Sequence, residues 1–166
     1  MEFNWLIVFL TALIPMLTGF IWYHNAVFGN AWMRACGLTE DQLKGANMGK
    51  IFGLTFILSL LVTLGLTGMV IHQTHLLSLF ANEPGIQDPN SAVSIELQNL
   101  MNLYGDRFRT FKHGAFHGFL GGIFLALPFI GINALFERKS GKYIWINAGY
   151  WAVTLALMGG VLCQWV

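Results

Sequence analysis

Four apolar segments constrain what this chain can fold into. They run from about 3 to 23, 51 to 71, 114 to 136 and 143 to 163, and none contains Asp, Glu, Lys or Arg. Each has the length that carries an α-helix across a hydrocarbon core of about 30 Å. With no water to satisfy the backbone there, a spanning segment has to be a helix or part of a closed barrel. Long unbroken apolar runs, rather than short alternating ones, select helices. The expected fold is therefore all-α: one domain over 1–166, an integral membrane bundle of four transmembrane helices.

Composition agrees. Charged residues are 10% of the chain against 55% hydrophobic, and the net charge is +1. A soluble domain carries about 25% charged residues. These values exclude a disordered chain, a nucleic-acid binder and an ordinary soluble enzyme. The first segment reads as a retained helix and not as a signal peptide. Glu2 stands where a basic n-region would be, and no small-residue cleavage site follows.

Basic residues set the expected orientation. Arg34, Lys44 and Lys50 lie in the first connection and Arg138, Lys139 and Lys142 in the third, against Arg107, Arg109 and Lys112 in the second. The positive-inside rule puts the first and third connections in the cytoplasm and both termini outside. Trp5, Trp22, Tyr23, Trp32, Tyr143, Trp145, Trp151 and Trp165 read as an aromatic belt. Cys36 and Cys163 fall at opposite membrane faces, so they are expected as free thiols.

The connections carry structure of their own. Thr39-Glu40-Asp41-Gln42 is a capping box, whose helix is expected to run on into the second span. In the outer connection, 72–113, Val93, Leu97, Leu100 and Tyr104 recur at helical spacing, which predicts an additional outer amphipathic helix over Ser91–Tyr104. Pro15 and Pro128 predict kinks in the first and third spans.

Histidine supplies the strongest chemical pattern. His72 and His75, at i,i+3, close the second span, and His113 and His117, at i,i+4, open the third. Each spacing puts two imidazoles on one helix face, and both pairs fall at the outer surface. If those helices are neighbours, four imidazoles converge in a set suited to a transition metal such as zinc, copper, iron or nickel. Glu83, Glu96 and Asp106 are candidate oxygen ligands or partners. Haem is a variant of this reading: one histidine from each helix would be axial, with Gly114, Gly118, Gly121 and Gly122 making room. The plainer alternatives are interfacial histidines, and glycines that let helices pack closely. Gly45, Gly49 and Gly53 form a second small-residue ladder.

A second polar set is expected at the cytoplasmic end, as a pocket or as interhelical glue: His24, Asn25, Asn30, Asn133 and Asn147. No phosphate loop, HExxH or nucleophile elbow is present, and no carboxylate lies within a span to relay protons. The leading expectation is a non-enzymatic packing or interaction subunit, with the bilayer and a homo-oligomeric or membrane-protein partner. The alternatives are the metal or haem binder and an oligomeric channel or carrier subunit.

Several strings add a resemblance. Trp22-Tyr23, Phe28-Gly29, Ala31-Trp32-Met33 and Gly37-Leu38-Thr39 are followed near the C-terminus by Leu135-Phe136-Glu137, Ile146-Asn147-Ala148-Gly149-Tyr150 and Leu157-Met158-Gly159-Gly160. The chain resembles a bacterial membrane family catalogued as domain of unknown function 1761, over most of its length apart from the outer connection. The resemblance implies a small four-helix inner-membrane protein with no assigned activity. It sets the Trp-Tyr and Asn-Ala-Gly-Tyr strings toward the cytoplasmic ends of the first and fourth spans. The long outer connection and its histidines depart from the family pattern.

Overall fold

The computed structural model describes residues 3–166; Glu2, on which the reading of the first segment partly turns, lies outside them. Four helices are long and apolar enough to cross a membrane: Trp5–Trp22, Met48–Val70, Phe111–Phe136 and Gly141–Trp165. No strand occurs among the described residues. These are called the first to fourth spans below. Their starts follow the polar residues that precede them. Asn4, Asn47, Thr110 and Ser140 each accept a hydrogen bond from the backbone N–H three residues on, satisfying a donor the helix leaves free.

The fourth span is the axis of the bundle and the most buried of the four. The third span lies along it, with no side chain between them at three successive turns. A Cβ on Gly114 would strike the Gly159 carbonyl, one on Gly118 the Leu155 carbonyl, and one on Gly122 the Cα of Ala152. Small residues four apart permit this approach, and dispersion contacts reward it in a solvent as apolar as the helices. The second ladder behaves differently. Gly45 lies in a turn at φ +93°, Gly49 touches only Asn47, and nothing stands within 4 Å of Gly53.

The buried core gathers at one end. Val8, Leu66, Val70, Ile71, Met158, Leu162 and Cys163 pack there, where the first, second and fourth spans meet. Toward the other end the second span diverges, leaving Ile51, Phe52, Leu54, Ile57 and Leu58 exposed on a surface suited to lipid. Cys36 is half-buried and Cys163 buried; both are free thiols.

Several sequence expectations change in detail. The capping box forms, with Gln42 Oε1 accepting from the Thr39 backbone N–H at 2.9 Å and from its hydroxyl at 3.2 Å. Its helix is only Glu40–Leu43 and does not continue into the second span. Lys44 turns extended and Gly45 left-handed, and Asn47 then caps a new helix. The first span breaks at Ala12-Leu13, just before Pro15. In the third span, the expected Pro128 kink becomes a wide π-turn over Gly122–Ala126, closed by the Leu127 N–H on the Gly122 carbonyl. The amphipathic helix is Ala92–Tyr104, capped by Ser91, and packs on a short helix, His72–Phe80. Trp151, expected in the aromatic belt, lies midway along the fourth span.

Candidate functional site

At the core-rich end, the second span stops at Val70. Ile71 is extended, at φ −105° and ψ 99°, and the chain re-enters a helix at His72. That break sets His72 at the start of its own helix, facing the first two turns of the third span. There His113 and His117 stand one above the other. The ring centroids of the three imidazoles are 5.0 Å (His72–His113), 5.0 Å (His72–His117) and 4.5 Å (His113–His117) apart. One nitrogen from each ring lies within 4.8 Å of the others, and the Nε2 atoms of His72 and His113 are 2.8 Å apart. One of those two nitrogens is the donor and the other the acceptor, as neutral imidazoles allow.

His75 does not join them. It is exposed and lies a turn along a helix that has already left the third span to pack on Ala92–Tyr104. Among the described residues, Glu83, Glu96 and Asp106 also stand outside the group. Of the four glycines expected to make room for a haem, Gly114, Gly118 and Gly122 lie against the fourth span, and Gly121 faces Met69 of the second.

The wall of the site is a residue that no sequence signal marks. Phe108 stacks on His113, with centroids 4.8 Å apart and planes at 17°, and meets His72 edge-on at 6.2 Å. Its φ is +65°, a left-handed conformation that an aromatic residue rarely adopts. The loop is over-determined by its neighbours. Gln73 Nε2 donates to the carbonyls of Tyr104 and Arg107, both at 2.9 Å. Cys163 Sγ donates to the Phe108 carbonyl at 3.3 Å, and Thr110 N–H to the same oxygen at 2.8 Å.

The other end presents the second polar set, divided between two hollows. His24 and Asn25, both exposed, border one of about 310 Å³ with Tyr23 and Gly19. Asn133 and Asn147 border one of about 220 Å³ with Tyr143 and Glu137. Tyr23 links them, its Oη donating to Asn147 Oδ1 at 2.8 Å while Asn147 Nδ2 donates to the Tyr143 carbonyl at 2.7 Å. Asn30 Nδ2 donates to the Asn25 carbonyl, and His24 Nδ1 accepts from Ala26 N–H. Lys139 Nζ donates to the Cys36 carbonyl at 3.1 Å.

The strings that carried the resemblance meet at this end. Trp22 Nε1 donates to the Ile146 carbonyl, and the Trp22 ring lies against Gly149. Tyr23 packs on Tyr150 and Trp32, and Trp22 on Phe28. A Cβ at Gly29 would strike the Tyr23 carbonyl, so that turn closes only on glycine.

Fold and composition together define an all-α protein with four helices of membrane-spanning length and hydropathy. The chain belongs to the family described as protein of unknown function DUF1761, whose family model matches residues 6–163. Comparison with curated proteins and with solved structures finds no match.

Proposed function

We propose that this protein is a small membrane protein that holds a transition-metal ion on His72, His113 and His117. The convergence of three imidazole nitrogens, from two separate helices, within 4.8 Å of one another carries the reading. Three neutral imidazoles form a ligand set for zinc or copper and leave a coordination position open. A tetrahedral ion at about 2.0–2.1 Å from each nitrogen holds them about 3.3 Å apart, so the His72–His113 hydrogen bond gives way to the metal with little movement. His75 is then a surface residue, and haem is disfavoured by the filled glycine face.

By the distribution of Lys and Arg, the histidine end faces outward and the tyrosine end inward, as in an inner (cytoplasmic) membrane protein with both termini outside. At the tyrosine end Asn147 serves as interhelical glue through the bond it accepts from Tyr23, while His24 and Asn30 bond within their own turn.

The role of packing subunit finds less support. Its best motif, Gly114-x-x-x-Gly118, is consumed inside the chain. What favours it is the open face of the second span around Gly53, where a second copy would dock. Metal analysis of the chain purified in mild detergent tests the main reading. We expect one zinc or copper per chain, lost in His113→Ala and in His117→Ala. A folded, metal-free chain that gains none on incubation with zinc or copper contradicts it.

A further inference from the structure

An apolar hollow of about 480 Å³, open on its outer side, lies between the second, third and fourth spans, within the size range of small-molecule sites. Its upper rim is Met69 and Gly121, and Gly65, Leu125, Phe129 and Trp151 are among its walls. That rim is adjacent to the histidines. Gly121 follows His117 by four residues in one unbroken α-helix, so it stands one turn, about 6 Å, below that imidazole. A Cβ on Gly121 would lie 3.2 Å from Met69 Cε, so the second span closes the rim at the same level. The wide turn over Gly122–Ala126 supplies Leu125 and Ala126 to the lining.

On the loop that walls the site sits a cation. The Arg107 guanidinium lies 5.3 Å from the centroid of Phe108, the ring stacked on His113. Arg107 makes no ion pair among the described residues. Its neighbour Asp106 borders a separate polar hollow together with Arg109. Lys112, on the first turn of the third span, is exposed. The cavity rim thus lies one turn from His117, and Arg107 and His113 both lie against the Phe108 ring.

We propose that the cavity, the imidazoles and Arg107 form one binding site for an amphiphile, a single-tailed lipid with a phosphate monoester head. The tail occupies the cavity, and the phosphate oxygens are shared between the metal and Arg107. This inference rests on the metal-binding reading. Charge selects the head. A divalent ion on three neutral imidazoles keeps its full charge, and Arg107 adds another. A phosphate monoester brings about −1.5 to −2 and three acceptor oxygens, enough for both cations. A choline head brings a cation of its own.

The test uses the full chain in detergent, loaded with zinc, and native mass spectrometry, which reads zinc and lipid in the same particle. The probes are oleoyl lysophosphatidic acid, oleoyl lysophosphatidylcholine and inorganic phosphate. The variants are Gly65→Leu, which fills the cavity from a position where a Cβ meets nothing within 4 Å, and Arg107→Gln. We expect lysophosphatidic acid to bind roughly tenfold more tightly than lysophosphatidylcholine, and each variant to lose roughly tenfold in affinity while keeping zinc. Inorganic phosphate competes only weakly. Equal binding of the two lipids, or unchanged affinity in both variants, overturns the proposal. Inorganic phosphate competing as well as the lipid also overturns it, by removing the tail. Zinc retained with indifferent lipid binding refutes this inference alone, whereas a chain that takes up no zinc refutes the metal reading beneath it.

Discussion

The two ends of the bundle use polar residues in opposite ways. At the tyrosine end, Trp22, Tyr23, Asn30, Lys139 and Asn147 each hold a carbonyl or amide partner at 2.7–3.1 Å. At the histidine end, three imidazoles face chiefly one another, and the interactions around them fix the loop behind rather than satisfy the rings. A polar group in an apolar bundle costs stability unless it is paired. Groups paired internally read as structure, and a cluster left with lone pairs to offer reads as a binding site.

That contrast can be broken from either side, and the largest effect should come from the helix seam beside the histidines. Gly118→Leu drives a side chain into the Leu155 carbonyl and separates the third and fourth spans. We expect a loss of about 3 kcal/mol or more, seen as a collapse of the thermal transition in detergent. Metal binding should fall with it, because His117 moves with that helix.

At the tyrosine end, Tyr23→Phe and Asn147→Leu should each cost about 1 kcal/mol, and a double-mutant cycle should return most of that as coupling. Neither should change metal content. If either does, the ends are not independent. The smallest effect should be a gain. Arg138, two residues past the third span, has φ +56°, and Arg138→Gly should stabilise the chain by about 0.5–1 kcal/mol, read as a modest rise in Tm.

Orientation offers a further check. In sealed vesicles with the histidine end outward, an impermeant maleimide should label a Ser91→Cys variant and leave Cys36 untouched until the membrane is opened. Cys36 should also react slowly near neutral pH, because burial pushes its thiol up more than Lys139 pulls it down. The rate should rise as pH approaches that raised value.

Much of this was legible in the sequence, for definite reasons. Uncharged apolar runs of spanning length leave the bilayer only one secondary structure, so four helices followed from hydropathy alone. Thr39 and Ser91 announced helix starts because their side chains can accept a backbone N–H, whereas the Asn47 and Ser140 caps of the second and fourth spans emerge only in the structure. The histidine spacing brought His113 and His117 together because their helix is unbroken.

The same rule overreached at His75. It assumed that the helix bearing His72 stays beside the third span, and the extended Ile71 redirects it after one turn. No residue-type signal marks Ile71 as a break, since isoleucine is at home inside a helix of this kind. Phe108 was invisible for a similar reason: its left-handed backbone is imposed by Gln73 and Cys163 from distant parts of the chain. The apolar cavity is a product of three helices and a π-turn, which only packing reveals.

The most direct test of the account compares two histidines by metal content. The purified chain, His117→Ala and His75→Ala are each incubated with zinc, desalted and analysed for zinc per chain, with circular dichroism confirming equal helicity. The account predicts one zinc in the parent chain and in His75→Ala, and none in His117→Ala. Equal zinc in all three, or none in any, would contradict it.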